Sequence, residues 1–362
     1  LLMKSNFDFL NRYWPALAQI GATAETYVYS DPNACIYKLG MFAERLVQEI
    51  LVFEHIAEPA VDNTHANRIR VLKRAGLLPH EIDNTLYVLR KTRNSAVHIG
   101  TDSVDEAKTL LSLTYNLAVW FMETYGDWGY IAPEFVMPSE TTHEDLESVI
   151  AEQERKIEEL TKQLAVVKTA ASGKTQKERA KRSESVSTMM NWNEAQTRCL
   201  IDEQLRLSGW EADTQNLRYS KGTRPVKGRN IAISEWPTNS AFYKNGYADY
   251  AFFVGEKLVA LMDAKKMSED VASTIDVQVK DYAAHIKPED IPHTVGNWNG
   301  YQVPFLFASN GRAYLEQLRT KSGIWFLDVR EQENQPYPIR NWFSPSDLME
   351  KLGQNTAAAN QA

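Results

Sequence analysis

The sequence predicts an α + α/β chain: an N-terminal helical bundle, a connector helix, and a C-terminal domain with a central mixed sheet flanked by helices. Three observations carry this expectation. Apolar residues recur at helical spacing through the first third of the chain, with no competing alternation. A heptad-like seam follows near the middle, and beyond residue 191 helix-like and strand-like segments alternate. At 362 residues the chain also exceeds one ordinary domain.

Residues 3–135 read as the helical domain. Asp31-Pro32 is a helix start, because proline presets φ for the first turn. Behind it Ile36, Leu39, Phe42, Leu46, Ile50 and Phe53 recur at steps of three, four and seven. Ser103 to Glu106 has capping-box spacing and opens a helix burying Ala107, Leu110, Leu111, Leu117, Trp120 and Phe121. Residues 140–187 read as connector helix and basic linker. Leu146, Ile150, Gln153, Ile157, Leu160, Leu164 and Val167 form a short seam, and the basic, small and polar stretch 168–187 reads as linker or frayed helix end.

Residues 188–352 form the α/β domain, with a helix over 193–208, strands over 247–254 and 258–264, a helix over 268–286, and strands near 303–308 and 323–329 separated by a short helix. The Ala-, Asn- and Gln-rich residues 353–362 read as a tail.

Composition narrows the function classes. No apolar run is long enough to span a membrane, and two cysteines are too few for a disulfide scaffold, which favours a reducing cytoplasm. Forty Lys and Arg stand against 47 Asp and Glu, a formal charge of −7, so a polyanionic partner must be met by local basic patches. Gly173-Lys174-Thr175 lacks the glycine five residues earlier that a phosphate-binding loop needs.

The chemistry concentrates in the hairpin. Asp249 lies in Tyr247–Val254, and Asp263 and Lys265 stand two residues apart in the next strand. A turn centred on Glu256 sets Asp249 opposite Asp263, with Cβ atoms about 5 Å apart. Two carboxylates so placed among Val, Leu, Ala and Phe call for a cation, and hard oxygen ligands suit Mg²⁺, with Mn²⁺ as substitute. Lys265 then stands ready to orient a water or to stabilise charge on a phosphate. The blander reading is a buried Asp263–Lys265 ion pair in an ordinary sheet. Glu194 shares a helix face with Arg198, Ile201 and Leu205, which puts it within reach of the metal from above. Gln278 and Tyr282 interrupt an apolar stripe beside the site, the plainer alternative being an edge glutamine and a core aromatic. Arg218, Lys221, Arg224, Lys227 and Arg229 form a basic loop without an intervening carboxylate, suited to backbone phosphates of a polyanion, the plainer alternative being a solvated turn.

These residues resemble the restriction subunit of type I restriction-modification enzymes. The likeness runs in order through Ser208–Asp213, Leu217–Gly222, Glu235-Trp-Pro237, Ala248-Asp249-Tyr250, Asp263-Ala-Lys265, Ser309-Asn-Gly311 and Lys321–Trp325. The opening Ser5–Leu10 and Asp31-Pro32-Asn33 resemble that subunit's helical domain.

The resemblance implies a PD-(D/E)xK nuclease domain with Asp249, Asp263 and Lys265 in the motif, Glu194 as the helix glutamate, and Gln278 and Tyr282 as the accompanying Gln-x-x-x-Tyr pair. It further implies double-stranded DNA as substrate and partner methyltransferase and specificity subunits. ATP is then required only by a translocase that this chain lacks, so the chain reads as an N-terminal fragment. Two departures are Ala248 in place of the motif proline and Asp rather than Glu at 263. The alternatives are a catalytically silent docking module and a ribonuclease centred on Arg93 and His98, which resemble the Arg-x4-His motif of HEPN domains.

Overall fold

The computed structural model describes residues 5–59, 62–98, 103–140, 146–161, 167–190, 192–240, 246–267, 269, 271–312, 314, 319 and 322–353. The chain divides into two compact units, residues 1–190 and 191–362. Among the described residues no helix is long and apolar enough to cross a membrane.

The first unit is helical: α1 (Pro15–Ser30), α2 (Pro32–Phe53), α3 (His65–Arg74), α4 (His80–His98), α5 (Val104–Phe121), α6 (Leu146–Thr161) and α7 (Gln176–Met189). The two helix starts read from the sequence form as expected. Asp31 accepts from the Ala34 amide at 2.9 Å, and Ser103 from the Glu106 amide at 3.2 Å. Helix α2 is buried on nearly every side because it is central, and Ile36, Leu39, Phe42, Leu46 and Ile50 all lie in the core. Each such side chain contributes about 1.5–3 kcal/mol. Helix α6 packs into the same unit, with Gln153 bonding Thr26 and Lys38 pairing with Glu154 at 2.6 Å. Seam residues 162–166 and the tail 354–362 lie outside the described residues.

The basic stretch expected as linker is instead an ordered helix over most of its length. Thr175 and Glu178 form a reciprocal cap on α7. Arg179 is buried and grips the carboxylate of Glu54, the residue that follows α2, through Nε at 2.7 Å and Nη2 at 2.5 Å. Ser183 meets Trp120 Nε1 at 3.2 Å, and Ser187 donates to Glu81 at 2.9 Å. Helix α7 carries almost no apolar stripe and is fastened by polar pairs, so periodicity gave no sign of it.

The second unit is a seven-stranded mixed sheet in sequential order: β1 (Glu211–Ala212), β2 (Asn230–Pro237), β3 (Tyr247–Val254), β4 (Lys257–Ala264), β5 (Phe305–Ser309), β6 (Ile324–Asp328) and β7 (Tyr337–Pro338). The β1–β2 and β4–β5 pairs are parallel and the others antiparallel. Helix α8 (Glu194–Leu207) lays Ile201 and Leu205 on one sheet face with Tyr250, Phe252 and Met262, alongside Leu348 of α11 (Pro345–Lys351). The other face carries Ala251, Phe253 and Leu261 against Ile275, Val279 and Tyr282.

The helix expected over 268–286 is broken into α9 (Ala272–Thr274), a π-turn (Ile275–Val279) and α10 (Lys280–Ala284). Strands β1, β2 and β7 were not expected. The short helix expected between β5 and β6 falls largely on residues outside the described ones.

Candidate active site

The hairpin delivers Asp249 and Asp263 to the same place by a route the sequence does not reveal. The turn is the two-residue pair Gly255-Glu256, with φ +60° at Gly255, a value suited to glycine at the first position of a II′ turn. Next to it Val254 pairs with Lys257 and Phe253 with Leu258, one step out of the register that a turn centred on Glu256 would give. A bulge at Phe252/Phe253 takes up one residue, and beyond it Phe252 pairs with Ala260, Ala251 with Leu261 and Tyr250 with Met262. Continuing that register sets Asp249 opposite Asp263.

Both aspartates are buried, 5% and 3% exposed. The Ala264 amide donates to Asp249 Oδ2 at 2.6 Å, and Asp249 Oδ1 lies against Arg198 Nη2. Lys265 Nζ is 2.6 Å from Asp263 Oδ2, but off the line of a hydrogen bond, so that oxygen has a charge beside it and no aligned donor. Gln278 closes the circuit. Its Oε1 accepts from Lys265 at 2.9 Å, while its Nε2 lies 2.7 Å from both Asp263 Oδ1 and Tyr282 Oη. Gln278 sits in the π-turn, a helix irregularity found often at functional sites.

Burial, opposed by Arg198 and reinforced by Asp263, pushes Asp249 up to about 7. Asp263 is likewise raised by burial, against the pull of Lys265. Burial works against the Lys265 ammonium, but Asp263 outweighs it and the net shift is upward. The site therefore combines two carboxyls that resist ionising together with one firmly cationic lysine.

Two further residues complete it, and the site reading of the sequence missed both. Arg198, one turn from Glu194, reaches Glu194 at 2.7 Å, Asp249, and Glu235 at 3.5 Å. Glu235 is in mid-strand yet has φ +53°, the left-handed region, and also lies 3.5 Å from Arg218. The i, i+4 spacing of Glu194 and Arg198 was the available signal. Glu194 itself is half-exposed and linked to the aspartates through Arg198 rather than converging on them. Among the described residues no group of three or more His, Cys, Asp or Glu is gathered as a metal site. The donors nonetheless suit a hard cation. They are paired buried carboxylates, and Asp263 Oδ2 has no aligned hydrogen-bond donor.

The basic loop is only partly open. Arg229 makes a two-pronged pair with Glu211, and Arg218 belongs to the Glu235 network, so carboxylates from elsewhere in the chain engage both of these cations. Lys221, Arg224 and Lys227 are exposed. Arg224 lies 3.6 Å over the Tyr219 ring, whose edge contacts Trp236, so that ring face is covered. In the helical unit Arg93 is paired with Glu44 at 2.5 Å, and the His98 side chain lies outside the described residues.

Residues 211–352, which hold the sheet and both aspartates, match the family of the type I restriction enzyme EcoKI endonuclease subunit second domain. The chain is similar, end to end, to a type I restriction endonuclease subunit. It is 28% identical over 439 aligned residues to the type I restriction enzyme EcoKI endonuclease subunit of Escherichia coli (strain K12), covering 100% of this chain and 37% of that protein. The chain thus spans little more than a third of its relative's length, and the resemblance read from the sequence is borne out. No solved structure matches it.

Proposed function

We propose that the second unit is the metal-dependent endonuclease part of a type I restriction enzyme, a PD-(D/E)xK domain hydrolysing phosphodiester bonds of double-stranded DNA. One observation carries this reading: two buried carboxylates, a lysine and a glutamine share one hydrogen-bonded and ion-paired cluster at the head of an apolar hairpin. An ordinary structural ion pair does not need the second buried aspartate, which burial alone makes costly.

Asp249 and Asp263 hold Mg²⁺, or Mn²⁺ in its place, with Glu194 joining once Arg198 releases it. The ion supplies Lewis-acid polarisation of the phosphate and a water of lowered pKa. Lys265 orients that water and offsets charge on the phosphate, with its amine held in place by Gln278. Gln278 and Tyr282 position the scissile strand, and Lys221, Arg224 and Lys227, with Arg218 and Arg229, meet backbone phosphates without reading bases.

As the resemblance read from the sequence implies, methyltransferase and specificity subunits are the partners. Cleavage follows ATP-driven translocation by a motor outside these residues, in the cytoplasm. The test is cleavage of DNA by the assembled enzyme carrying Asp263→Ala or Lys265→Ala. Loss of cleavage with ATP hydrolysis and subunit assembly intact supports the reading, and cleavage at the wild-type rate overturns it.

A further inference from the structure

The helical unit carries a cationic face that the nuclease chemistry does not use. Between Asp62 and Glu81 the chain has no acidic residue, and α3 contributes Arg68, Arg70, Lys73 and Arg74. Ile69 and Leu72 are buried, so Arg70, Lys73 and Arg74, at i, i+3 and i+4, are exposed on the opposite side. Helix α4 lies alongside, with Lys73 paired to Asp83. Farther along its outer face Arg90 and Lys91 flank Tyr87, at 4.9 and 5.6 Å from the ring centroid. Asp83 is the only acid on the outer face of α4 from His80 to Asn94, and Arg74, Arg90 and Lys91 have no carboxylate partner among the described residues.

A second, independent feature lies beneath this face. His65 is 8% exposed, and neither ring nitrogen has a hydrogen-bond partner. Burial, aided by Arg90, Arg93 and Arg68 and opposed by Glu44, pulls its pKa down to about 4, so the ring is neutral near pH 7. A buried imidazole left unsatisfied is costly, and it marks a floor whose hydrogen bonding is incomplete in the free protein. Arg93 is held close by: its stem lies on Gly40, where a Cβ would come within 2.4 Å of Arg93 Cδ.

We infer that the outer α3–α4 face is a binding surface for the phosphodiester backbone of duplex DNA, with Arg70, Arg74, Arg90 and Lys91 meeting successive phosphates. The cations are spread along two helices instead of converging, which suits a polymer of phosphates better than one compact anion. The inference rests on the reading of the chain as DNA-acting and adds a contact outside the nuclease unit.

The experiment is fluorescence anisotropy of a labelled duplex titrated with the full chain at several salt concentrations. Wild type is compared with the triple variant Arg74→Glu, Arg90→Glu, Lys91→Glu. Each phosphate contact contributes about 0.9 to the slope of log affinity against log salt, so the variant should lose about 3 from that slope and bind at least about tenfold more weakly. Unchanged circular dichroism and melting temperature show that the variant is folded. As a second measurement, a photo-crosslinker on Asn94→Cys should label the duplex.

An unchanged slope with no crosslink overturns the inference, as does preferential capture of single-stranded RNA. A slope that responds only to Arg224→Glu and Lys227→Glu overturns it too, while leaving the nuclease reading standing. Failure of the wild-type chain to bind duplex at all removes the nuclease reading as well.

Discussion

Glu235 stands across β2–β3 from Asp249, between the registered pairs Ser234–Tyr250 and Trp236–Ala248, and does so with φ +53°. The Arg198 guanidinium lies between the two carboxylates, 3.5 Å from Glu235 and in contact with Asp249. A glutamate held in the left-handed region inside a strand is strained by about 1–3 kcal/mol, and strain of this kind gathers at functional sites. Glu235→Gly, which accepts that φ freely, is expected to melt higher than Glu235→Ala by the equivalent of about 1 kcal/mol. Both variants lose the same carboxylate, so their difference isolates the backbone. Equal melting temperatures would remove the strain from this account.

Arg198 is 8% exposed and is the counter-charge of a 5% exposed aspartate. Removing one partner of a buried pair leaves the other uncompensated, at about 3–5 kcal/mol, whereas replacing both by apolar groups of similar volume is close to neutral. Chemical denaturation should therefore find Arg198→Met strongly destabilising and the double variant Arg198→Met, Asp249→Leu much less so. Additive losses in that double-mutant cycle would show the pair to be uncoupled.

Beneath the site Asp202 accepts from the Thr214 amide at 2.7 Å, the Thr214 hydroxyl at 2.9 Å and Tyr250 Oη at 2.8 Å. Tyr250 Oη also lies 3.3 Å from the Arg198 carbonyl, which pins that turn of α8 to the sheet. Burial pushes Asp202 up from 3.8 to about 6. The folded state therefore holds this proton across a window where the unfolded chain has released it, so Asp202 makes stability fall as pH rises from about 4 to about 6. Asp202→Asn cannot titrate. The melting-temperature difference between wild type and this variant should shift against wild type across that window. A difference flat with pH would contradict the assigned shift.

How much of this was legible in the sequence depends on what kind of force places each residue. Helices α2 and α5 and strands β3 and β4 bury apolar faces at regular spacing, and the pattern shows them directly. The Asp249–Asp263 register was reached from an assumed turn at Glu256. The actual turn at Gly255-Glu256 gives the same partners only because a bulge absorbs one residue. Helix α7 escaped notice because Arg179, Ser183 and Ser187 hold it through partners distant in sequence. For the same reason the basic loop looked more open than it is, since Glu211 and Glu235 lie outside the stretch that reads as uninterrupted positive charge. Arg198 and Glu235 required coordinates, because a three-carboxylate grip on one guanidinium has no local spacing rule beyond the single turn from Glu194.

The central claim is that Asp249 and Asp263 present their oxygens to one divalent cation, and calorimetric titration of the chain with Mn²⁺ or Mg²⁺ tests it most directly. Binding must displace the proton that burial keeps near Asp249, so the heat should vary with the ionisation enthalpy of the buffer. Wild type is expected to bind saturably with that proton release, and Asp263→Asn, of nearly the same shape, to lose at least about tenfold in affinity. Equal affinity in the two proteins, or no binding by wild type, would contradict it.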